Sequence, residues 1–195
     1  MAIVTNLLVS FATRPFIGGK TYDMTTAWDR AIPFVPEFIY IYFLAFVQWG
    51  ICLVSVMITD KKASRRYCTA ISAGNIIAGI VFISIPTVMT IRPEFSGGGA
   101  LTELLGRFLF SADTPPMNIL PSIHCLISWG CMRMVFVAKG IPKWLKIANA
   151  VFTFLVFASV LFVKQHCIVD IPAGILAFET GFLITKITDK SKKGG

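Results

Sequence analysis

The chain has 195 residues, of which 55% are hydrophobic and 14% are charged, and its formal net charge is +8. A soluble domain averages about a quarter charged residues, so this chain has too few polar groups to cover a soluble globule. Its mean hydropathy of +0.74 and its long apolar runs predict an integral membrane protein. A membrane β-barrel is not expected, because its strands require short segments of alternating hydrophobicity.

Basic residues outnumber acidic ones by 18 to 10, and they fall in short segments between the apolar runs. Basic residues in such segments set membrane topology and contact anionic lipid headgroups. No basic stripe is interleaved with aromatic residues, so we expect membrane lipids and no nucleic acid as partners. The five cysteines are odd in number and contain no CxxC pair, so no disulfide framework is expected.

The predicted spans begin after an apolar segment, residues 2–12, that is too short to cross a bilayer. This segment is either an interfacial helix or a shortened first spanning helix. Five clear spans follow, and they cover about residues 36–59, 67–90, 121–138, 145–163 and 167–187. The predicted fold is therefore an all-α integral membrane bundle of five spanning helices plus the short N-terminal helix, in one domain over residues 1–195.

A long region between the second and third spans, residues 91–120, is predicted to stay outside the membrane. Within it, residues 101–110 have the pattern of an amphipathic helix, with Leu101, Leu104, Leu105 and Phe108 on one face. Glu103 and Arg107 stand four residues apart and are expected to pair. We interpret this segment as a helix that lies at the membrane interface.

Three basic segments, residues 60–67, residues 139–146 and the C-terminus, alternate with the spans and are expected on the cytoplasmic side. The opposite, extracytoplasmic side then holds residues 14–36, residues 91–120 and a short turn at 164–166. This topology predicts that six chemically compatible residues share one membrane face: Arg92, Ser122, His124, Lys164, His166 and Asp170.

The histidine and aspartate of the last span form the centre of this cluster. His166 and Asp170 are four residues apart, and on a helix they would lie on the same face. A carboxylate that holds one ring nitrogen of a histidine makes the other nitrogen a better nucleophile. An acidic residue in an apolar zone is also costly, which makes Asp170 a candidate functional residue.

The remaining residues of the cluster suit a phosphate ester. His124 is the second histidine, and it is expected to protonate the leaving oxygen and then activate water. Ser122 follows Pro121 at a predicted helix N-terminus, where free N–H groups favour an anion. Arg92 and Lys164 add positive charge for the phosphate oxygens. No metal-ligand spacing is recognised, so we expect no metal and no cofactor.

Three motifs carry a family resemblance. Arg92-Pro93, Pro121-Ser122-x-His124 and His166-x-x-x-Asp170, in this order, resemble the phosphatidic acid phosphatase type-2 superfamily over about half the chain. The resemblance implies a helical membrane core of six spans and metal-independent phosphate chemistry through a phosphohistidine. It also implies that His166 is the nucleophile, with Asp170 orienting it.

The resemblance further implies that His124 is the acid and base, and that Ser122 and Arg92 bind phosphate. Three positions depart from the family pattern: Ile85 replaces a lysine, Ile123 replaces a glycine and Val160 replaces an arginine. Lys164 is expected to replace one of the missing cations.

The predicted function is hydrolysis of a lipid phosphate monoester or pyrophosphate, such as a phosphatidic acid-like or prenyl phosphate, at the extracytoplasmic side of the cell membrane. The departures keep open a lipid headgroup phosphotransferase similar to inositol phosphorylceramide or sphingomyelin synthases. A third alternative is a transporter or scaffold with this fold and no catalysis. The lipid and the oligomeric state are left open.

Several polar residues inside the spans are expected to be structural. Arg133 and Glu179 lie at similar depth in two predicted spans and are expected to pair. Gln48, Asn75 and Asn149 are expected to hydrogen-bond between helices, and Gly74 and Gly79 to permit close helix contact.

Overall fold

The computed structural model describes residues 20–191, with side chains through Ile187. The predicted N-terminal helix at residues 2–12 lies outside this range. A short strand β1 and helix α1 come first, and a 3-10 turn at Pro36–Phe38 leads into six further helices. The elements are β1 (Tyr22–Asp23), α1 (Ala27–Ala31), α2 (Ile39–Thr59), α3 (Lys61–Ser84), β2 (Thr87–Val88), α4 (Ala100–Ala112), α5 (Ile123–Val137), α6 (Lys143–Phe162) and α7 (Asp170–Ser191).

Three of the described helical segments are long and apolar enough to cross a membrane, namely Pro36–Thr59, α3 and α6. Helix α5 is apolar but has only 15 residues, a length of about 22 Å at helical rise. The chain is therefore mainly helical and membrane-associated, in agreement with the coarser part of the predicted fold.

Helix α5 occupies the centre of the bundle and contacts α2, α3, α6 and α7. Its buried face includes Leu126, Cys131 and Met134, each fully buried. The helix begins beside the two histidines, and we call this end the histidine end of the bundle. Its other terminus lies beside the α2–α3 junction, where the Lys139 backbone N–H donates to Asp60. We call this the basic end.

The most extensive helix contact is between α3 and α7, and it depends on glycine. A Cβ at Gly181 would lie 2.4 Å from the carbonyl oxygen of Ala70 and 2.9 Å from the backbone nitrogen of Gly74. Gly74 itself lies close to α7, with its Cβ position 3.2 Å from the Ala177 carbonyl oxygen. Close backbone approach through small residues stabilises helix pairs in membranes, as predicted for Gly74.

Replacing Gly181 with alanine is expected to lower the stability of the bundle by about 1–3 kcal/mol, because the new methyl group meets backbone atoms that cannot rotate away. The matched control is Gly50→Ala in α2, where an added Cβ has no atom within 4 Å. That substitution is expected to be neutral or to stabilise by up to about 1 kcal/mol. Thermal unfolding in detergent compares the two variants, and equal melting temperatures would contradict the prediction.

The predicted pair between Arg133 and Glu179 is confirmed, with 3.2 Å between Arg133 Nε and Glu179 Oε1. The indole of Trp129 donates to the same carboxylate oxygen over 2.9 Å. Gln48 and Asn149 are also joined as predicted, by a 3.3 Å hydrogen bond between α2 and α6.

The buried Asn75 amide differs from its prediction. Within the described range neither its nitrogen nor its oxygen has a hydrogen-bond partner.

Both predicted boundaries of the second span are wrong. Helix α3 covers Lys61–Ser84 rather than residues 67–90, so the basic residues predicted as a loop lie in its first turns. Asp60 explains the early start, because its carboxylate accepts the Ala63 N–H at 2.9 Å as a helix cap. The helix ends at Ser84, and the chain then pairs in parallel with β1, with Tyr22 opposite Thr87 and Asp23 opposite Val88.

A helix is present at the position of the predicted interfacial helix as α4, and Leu101, Leu104 and Phe108 are exposed on it. The predicted Glu103–Arg107 pair is confirmed at 3.5 Å. Three consecutive glycines, residues 97–99, precede the helix with positive φ angles of 92°, 77° and 93°. Only glycine adopts such a run without strain, so these residues let the chain turn sharply into α4.

Candidate active site

A non-helical turn at residues 163–169 carries His166 between α6 and α7. The backbone N–H groups of Gln165 and His166 both donate to the carbonyl of Val160, at 2.9 and 3.1 Å. Helix α7 begins at Asp170 and not at the predicted Cys167, so His166 and Asp170 meet across a turn. The Ser122 N–H donates to the Asp170 carbonyl at 3.2 Å, which joins the two histidine-bearing segments.

The ring of His166 is held through its Nδ1 atom. This nitrogen lies 3.0 Å from the carbonyl oxygen of Ile119 and 3.2 Å from Asp170 Oδ2. Because both oxygens accept, Nδ1 is the nitrogen that carries the proton, and the neutral ring keeps its lone pair on Nε2. The arrangement therefore leaves Nε2 as the nucleophilic nitrogen.

Asp170 is fully buried and its carboxylate has two fixed donors on one oxygen. In addition to His166, the backbone N–H of Cys167 donates to Oδ2 over 2.7 Å. This second bond fixes the carboxylate in the turn itself, so the orientation of the His166 ring is tied to the backbone.

The ring of His124 lies 6.5 Å from the ring of His166, measured between centroids. Three further aromatic side chains of the described residues, all from one face of α2, lie against the His124 ring. Tyr42 stacks on it at 4.2 Å, Trp49 lies at 5.3 Å and Phe46 at 5.6 Å. We call these three residues the aromatic cover. Within residues 20–191 the buried Nε2 atom of His124 has no hydrogen-bond partner, so the cover holds the ring by its faces and leaves that nitrogen unengaged.

Ser122 is buried at the N-terminus of α5, as predicted. Its hydroxyl oxygen accepts the backbone N–H of Cys125 at 3.3 Å, which is the usual role of a serine helix cap. Helix α7 approaches closely here, because a Cβ at Gly174 would lie 2.5 Å from the Ser122 carbonyl oxygen. The serine therefore ties the start of α5 to the first turns of α7.

Arg92 lies beside α4 and is paired with an acidic residue. Its guanidinium Nη2 lies 2.5 Å from Asp113 Oδ2, and Nη1 donates to the Asp113 carbonyl at 3.3 Å. The guanidinium also covers the ring of Phe110 at 4.6 Å. Asp113 and Phe110 therefore hold the charged group of Arg92, and the phosphate-binding role of Arg92 stays a prediction.

Lys164 is directed elsewhere. Its backbone has a φ of 55°, and its buried ammonium donates to the carbonyl oxygens of Asp29 at 2.8 Å and Ile32 at 2.5 Å. Burial lowers the pKa of Lys164, although the nearby Asp29 carboxylate opposes that shift. The ammonium thus anchors the end of α1, and the phosphate-binding role of Lys164 stays a prediction without support from these contacts.

Asp29 is a residue that the sequence-based prediction missed. Its Oδ1 accepts the backbone N–H of Ile168 at 2.7 Å, inside the turn that carries His166. Its Oδ2 accepts from the Thr26 backbone and hydroxyl, so it also caps α1. The spacing Thr26-x-x-Asp29 resembles a helix capping box and could have revealed the cap, but nothing in the sequence links it to Ile168.

The carboxyl of Asp29 has a pKa below its ordinary value of 3.8. Burial raises the pKa, but the hydrogen bonds from Thr26 and Ile168 and the charge of Lys164 together outweigh burial. A depressed carboxyl pKa contributes stability above the unfolded value, and this contribution is lost as the pH falls through the folded value.

Replacing Asp29 with asparagine is expected to lower stability at pH 7 by about 1.5–3 kcal/mol, the usual size of hydrogen bonds to a charged group. The difference from wild type should shrink as the pH falls below about 4. The control is Asp23→Asn, an exposed carboxylate that bonds Thr25 and Thr90. Thermal unfolding across pH measures both, and an equal loss in the two variants would contradict a special role for Asp29.

Comparison with known proteins adds no family to this geometry. No protein-family model, curated protein or solved structure matches the chain. The functional assignment therefore depends on the motifs and on the site itself.

Proposed function

We propose that this chain is a membrane-embedded lipid phosphatase that resembles the phosphatidic acid phosphatase type-2 superfamily. One observation carries the proposal. His166 has Nδ1 fixed by Asp170 and Ile119, and the second histidine lies 6.5 Å away, within reach of the same phosphoryl group. A histidine nucleophile, its orienting carboxylate and an acid–base partner form a constellation suited to phosphoryl transfer.

The first half-reaction transfers the phosphoryl group to the protein. His166 Nε2 attacks phosphorus, an N–P bond forms and the P–O bond to the lipid breaks. His124 gives a proton to the departing lipid oxygen, and Asp170 stabilises the positive charge that develops on the His166 ring.

The second half-reaction releases phosphate. His124, now neutral, takes a proton from water as the water oxygen attacks phosphorus, and the N–P bond breaks. Both histidines are returned to their starting protonation states, so the cycle is balanced by one water and releases one lipid alcohol and one phosphate.

The proposed membrane arrangement has five spanning helices. Three of them are the helical segments that are long and apolar enough to cross a membrane, and α5 and α7 are the other two. The basic end faces the cytoplasm and the histidine end faces outward, in line with the distribution of Lys and Arg. A reporter fused after Gly195 that is active only in the cytoplasm tests this orientation, because α7 runs from the histidine end to the basic end.

A lipid phosphotransferase is the second candidate, and the aromatic cover favours it. Three rings around His124 limit the access of water to the ring, which gives an alcohol acceptor an advantage in the second half-reaction. The two candidates differ only in whether water or an alcohol accepts the phosphoryl or phosphorylated headgroup.

Phosphate release from a panel of lipid mono- and diphosphates, in the presence of a chelator and with or without an acceptor lipid, tests both candidates. Release that disappears in His166→Ala supports the phosphatase. A new phosphorylated lipid formed only with the acceptor supports the transferase. Full release by His166→Ala from every lipid would refute both.

The contact between Arg92 and Asp113 leads to a further prediction. Replacing Asp113 with asparagine removes the negative charge that competes with substrate phosphate for the guanidinium. We expect KM for a lipid phosphate to fall about 3- to 10-fold, equivalent to about 1 kcal/mol, with kcat changed less.

The matched control for this prediction is Glu94→Gln, which removes an exposed acidic charge two residues along the chain from Arg92. The double variant Arg92→Gln/Asp113→Asn should not show this fall in KM, because the guanidinium that binds the phosphate is then absent. An unchanged or raised KM in Asp113→Asn, with its fold intact, would contradict a substrate role for Arg92.

A further inference from the structure

A second cavity lies at the basic end of the bundle, opposite the histidines. It has a volume of about 500 Å³ and lies between the start of α3 and the loop after α5. Among the residues that the structure describes, four cationic residues and one acidic residue, Asp60, line it. The cations are Lys61, Lys62, Arg66 and Lys139.

Asp60 joins the two segments that carry these cations, and it forms no side-chain ion pair with any residue that the structure describes. Its Oδ1 accepts the Ala63 N–H at 2.9 Å and its Oδ2 accepts the Lys139 N–H at 3.2 Å. One carboxylate therefore joins two segments that are 79 residues apart, and the lysines on either side converge on the same space. Hydrogen bonds from Ala63 and Lys139 lower the pKa of Asp60, so it stays ionised and keeps this link at neutral pH.

The electrostatic balance of the cavity favours an anion. Among the described residues of the lining, three exposed lysines, Lys61, Lys62 and Lys139, face one carboxylate whose two oxygens already accept backbone N–H groups. The N-terminus of α3, a helix of 24 residues, adds its positive dipole end to the same side. The volume is within the range of about 300–1,000 Å³ that small-molecule sites occupy, which is larger than a single inorganic ion requires.

The position of the cavity indicates where its anion comes from. It lies at the end of α2 and the start of α3, where apolar helices give way to basic residues, which is the depth of lipid headgroups. Basic pockets between membrane helices bind phosphate-bearing headgroups. We propose that this cavity binds the headgroup of an anionic phospholipid from the adjoining leaflet, as a site separate from the one at the histidine end. This inference depends on the membrane bundle and is independent of the proposed phosphatase activity.

Native mass spectrometry of the full-length protein, released from nanodiscs of phosphatidylcholine with phosphatidylglycerol, tests the proposal. The test variant is Lys62→Gln/Lys139→Gln. The matched control is Arg65→Gln/Lys143→Gln, which removes two exposed charges at the same end from side chains outside the cavity lining. Each cation near an anionic headgroup is worth about fivefold in affinity.

We expect the test variant to bind phosphatidylglycerol about 20-fold more weakly than wild type, and the control to change by less than about threefold. Equal weakening in the two variants would overturn the proposal, because it would indicate general attraction to the basic face. A competition arm uses inorganic phosphate and glycerol phosphate. Displacement of the lipid by either at matched concentration would also overturn it, since the ligand would then be a soluble anion.

Discussion

Replacing His166 with asparagine is expected to abolish phosphate release, with a loss in kcat of at least about 10⁴-fold. Asparagine keeps an N–H donor near the position of Nδ1 and so preserves the contacts to Ile119 and Asp170. It lacks any atom at the position of Nε2, the proposed nucleophile. The substitution therefore separates loss of the nucleophile from loss of the local hydrogen bonds.

Two measurements accompany this variant. Wild-type protein quenched during turnover should carry an acid-labile, alkali-stable phosphoryl group, and His166→Asn should carry none. Asp170→Asn should still form the adduct but turn over about 10²- to 10⁴-fold more slowly, because the amide no longer stabilises a cationic ring. A normal adduct level in His166→Asn, with unchanged thermal unfolding, would eliminate His166 as the nucleophile.

Replacing His124 with glutamine is expected to slow hydrolysis of a lipid phosphate by about 10²- to 10⁴-fold, the usual contribution of a general acid and base. The loss should depend on the leaving group. With an aryl phosphate, whose phenolate departs without protonation, the rate of phosphohistidine formation by the variant should fall much less.

The control for His124 is Tyr42→Phe, which keeps the stacked ring at 4.2 Å and removes only its hydroxyl. It should change kcat by less than about threefold for both substrates. Burst kinetics with the aryl phosphate separate formation of the phosphohistidine from its hydrolysis. Equal losses with alkyl and aryl leaving groups in the burst phase would show that His124 is not the general acid.

The long apolar runs predicted the helices well because membrane spans leave a direct signature in hydropathy. The boundary at residues 60–67 was wrong for an equally physical reason. Consecutive charges were interpreted as a loop, whereas Lys and Arg are good helix formers and Asp60 caps the helix in front of them. Charge indicates which residues avoid the hydrocarbon, and it does not indicate where a helix begins.

The site was predicted best where its contacts are local. His166 and Asp170 touch because they are four residues apart, even though a turn replaces the expected helix there. Lys164 and Arg92 were harder, since their partners Asp29 and Asp113 are 135 and 21 residues away. Sequence spacing does not reveal which of several buried acceptors a long cationic side chain will reach.

The aromatic cover lay beyond prediction for a related reason. Tyr42, Phe46 and Trp49 lie within the first predicted span, residues 36–59, and aromatic residues are common in helices near a membrane boundary. Their contact with His124 depends on how α2 packs against the start of α5, and no local pattern records that packing.

The length of α5 has a consequence for the surrounding bilayer. Its 15 residues extend about 22 Å, whereas the hydrocarbon layer is about 30 Å thick. In the proposed arrangement, in which α5 spans the bilayer, its two ends therefore cannot both reach the ester layer, and at least one terminus is recessed by several ångströms. Under the proposed function, a lipid that delivers its phosphate to a recessed terminus must leave its usual depth or thin the membrane locally, at a cost of fractions of a kcal/mol per Å. Acyl-chain length in the host membrane thereby becomes a determinant of how easily a headgroup reaches this protein.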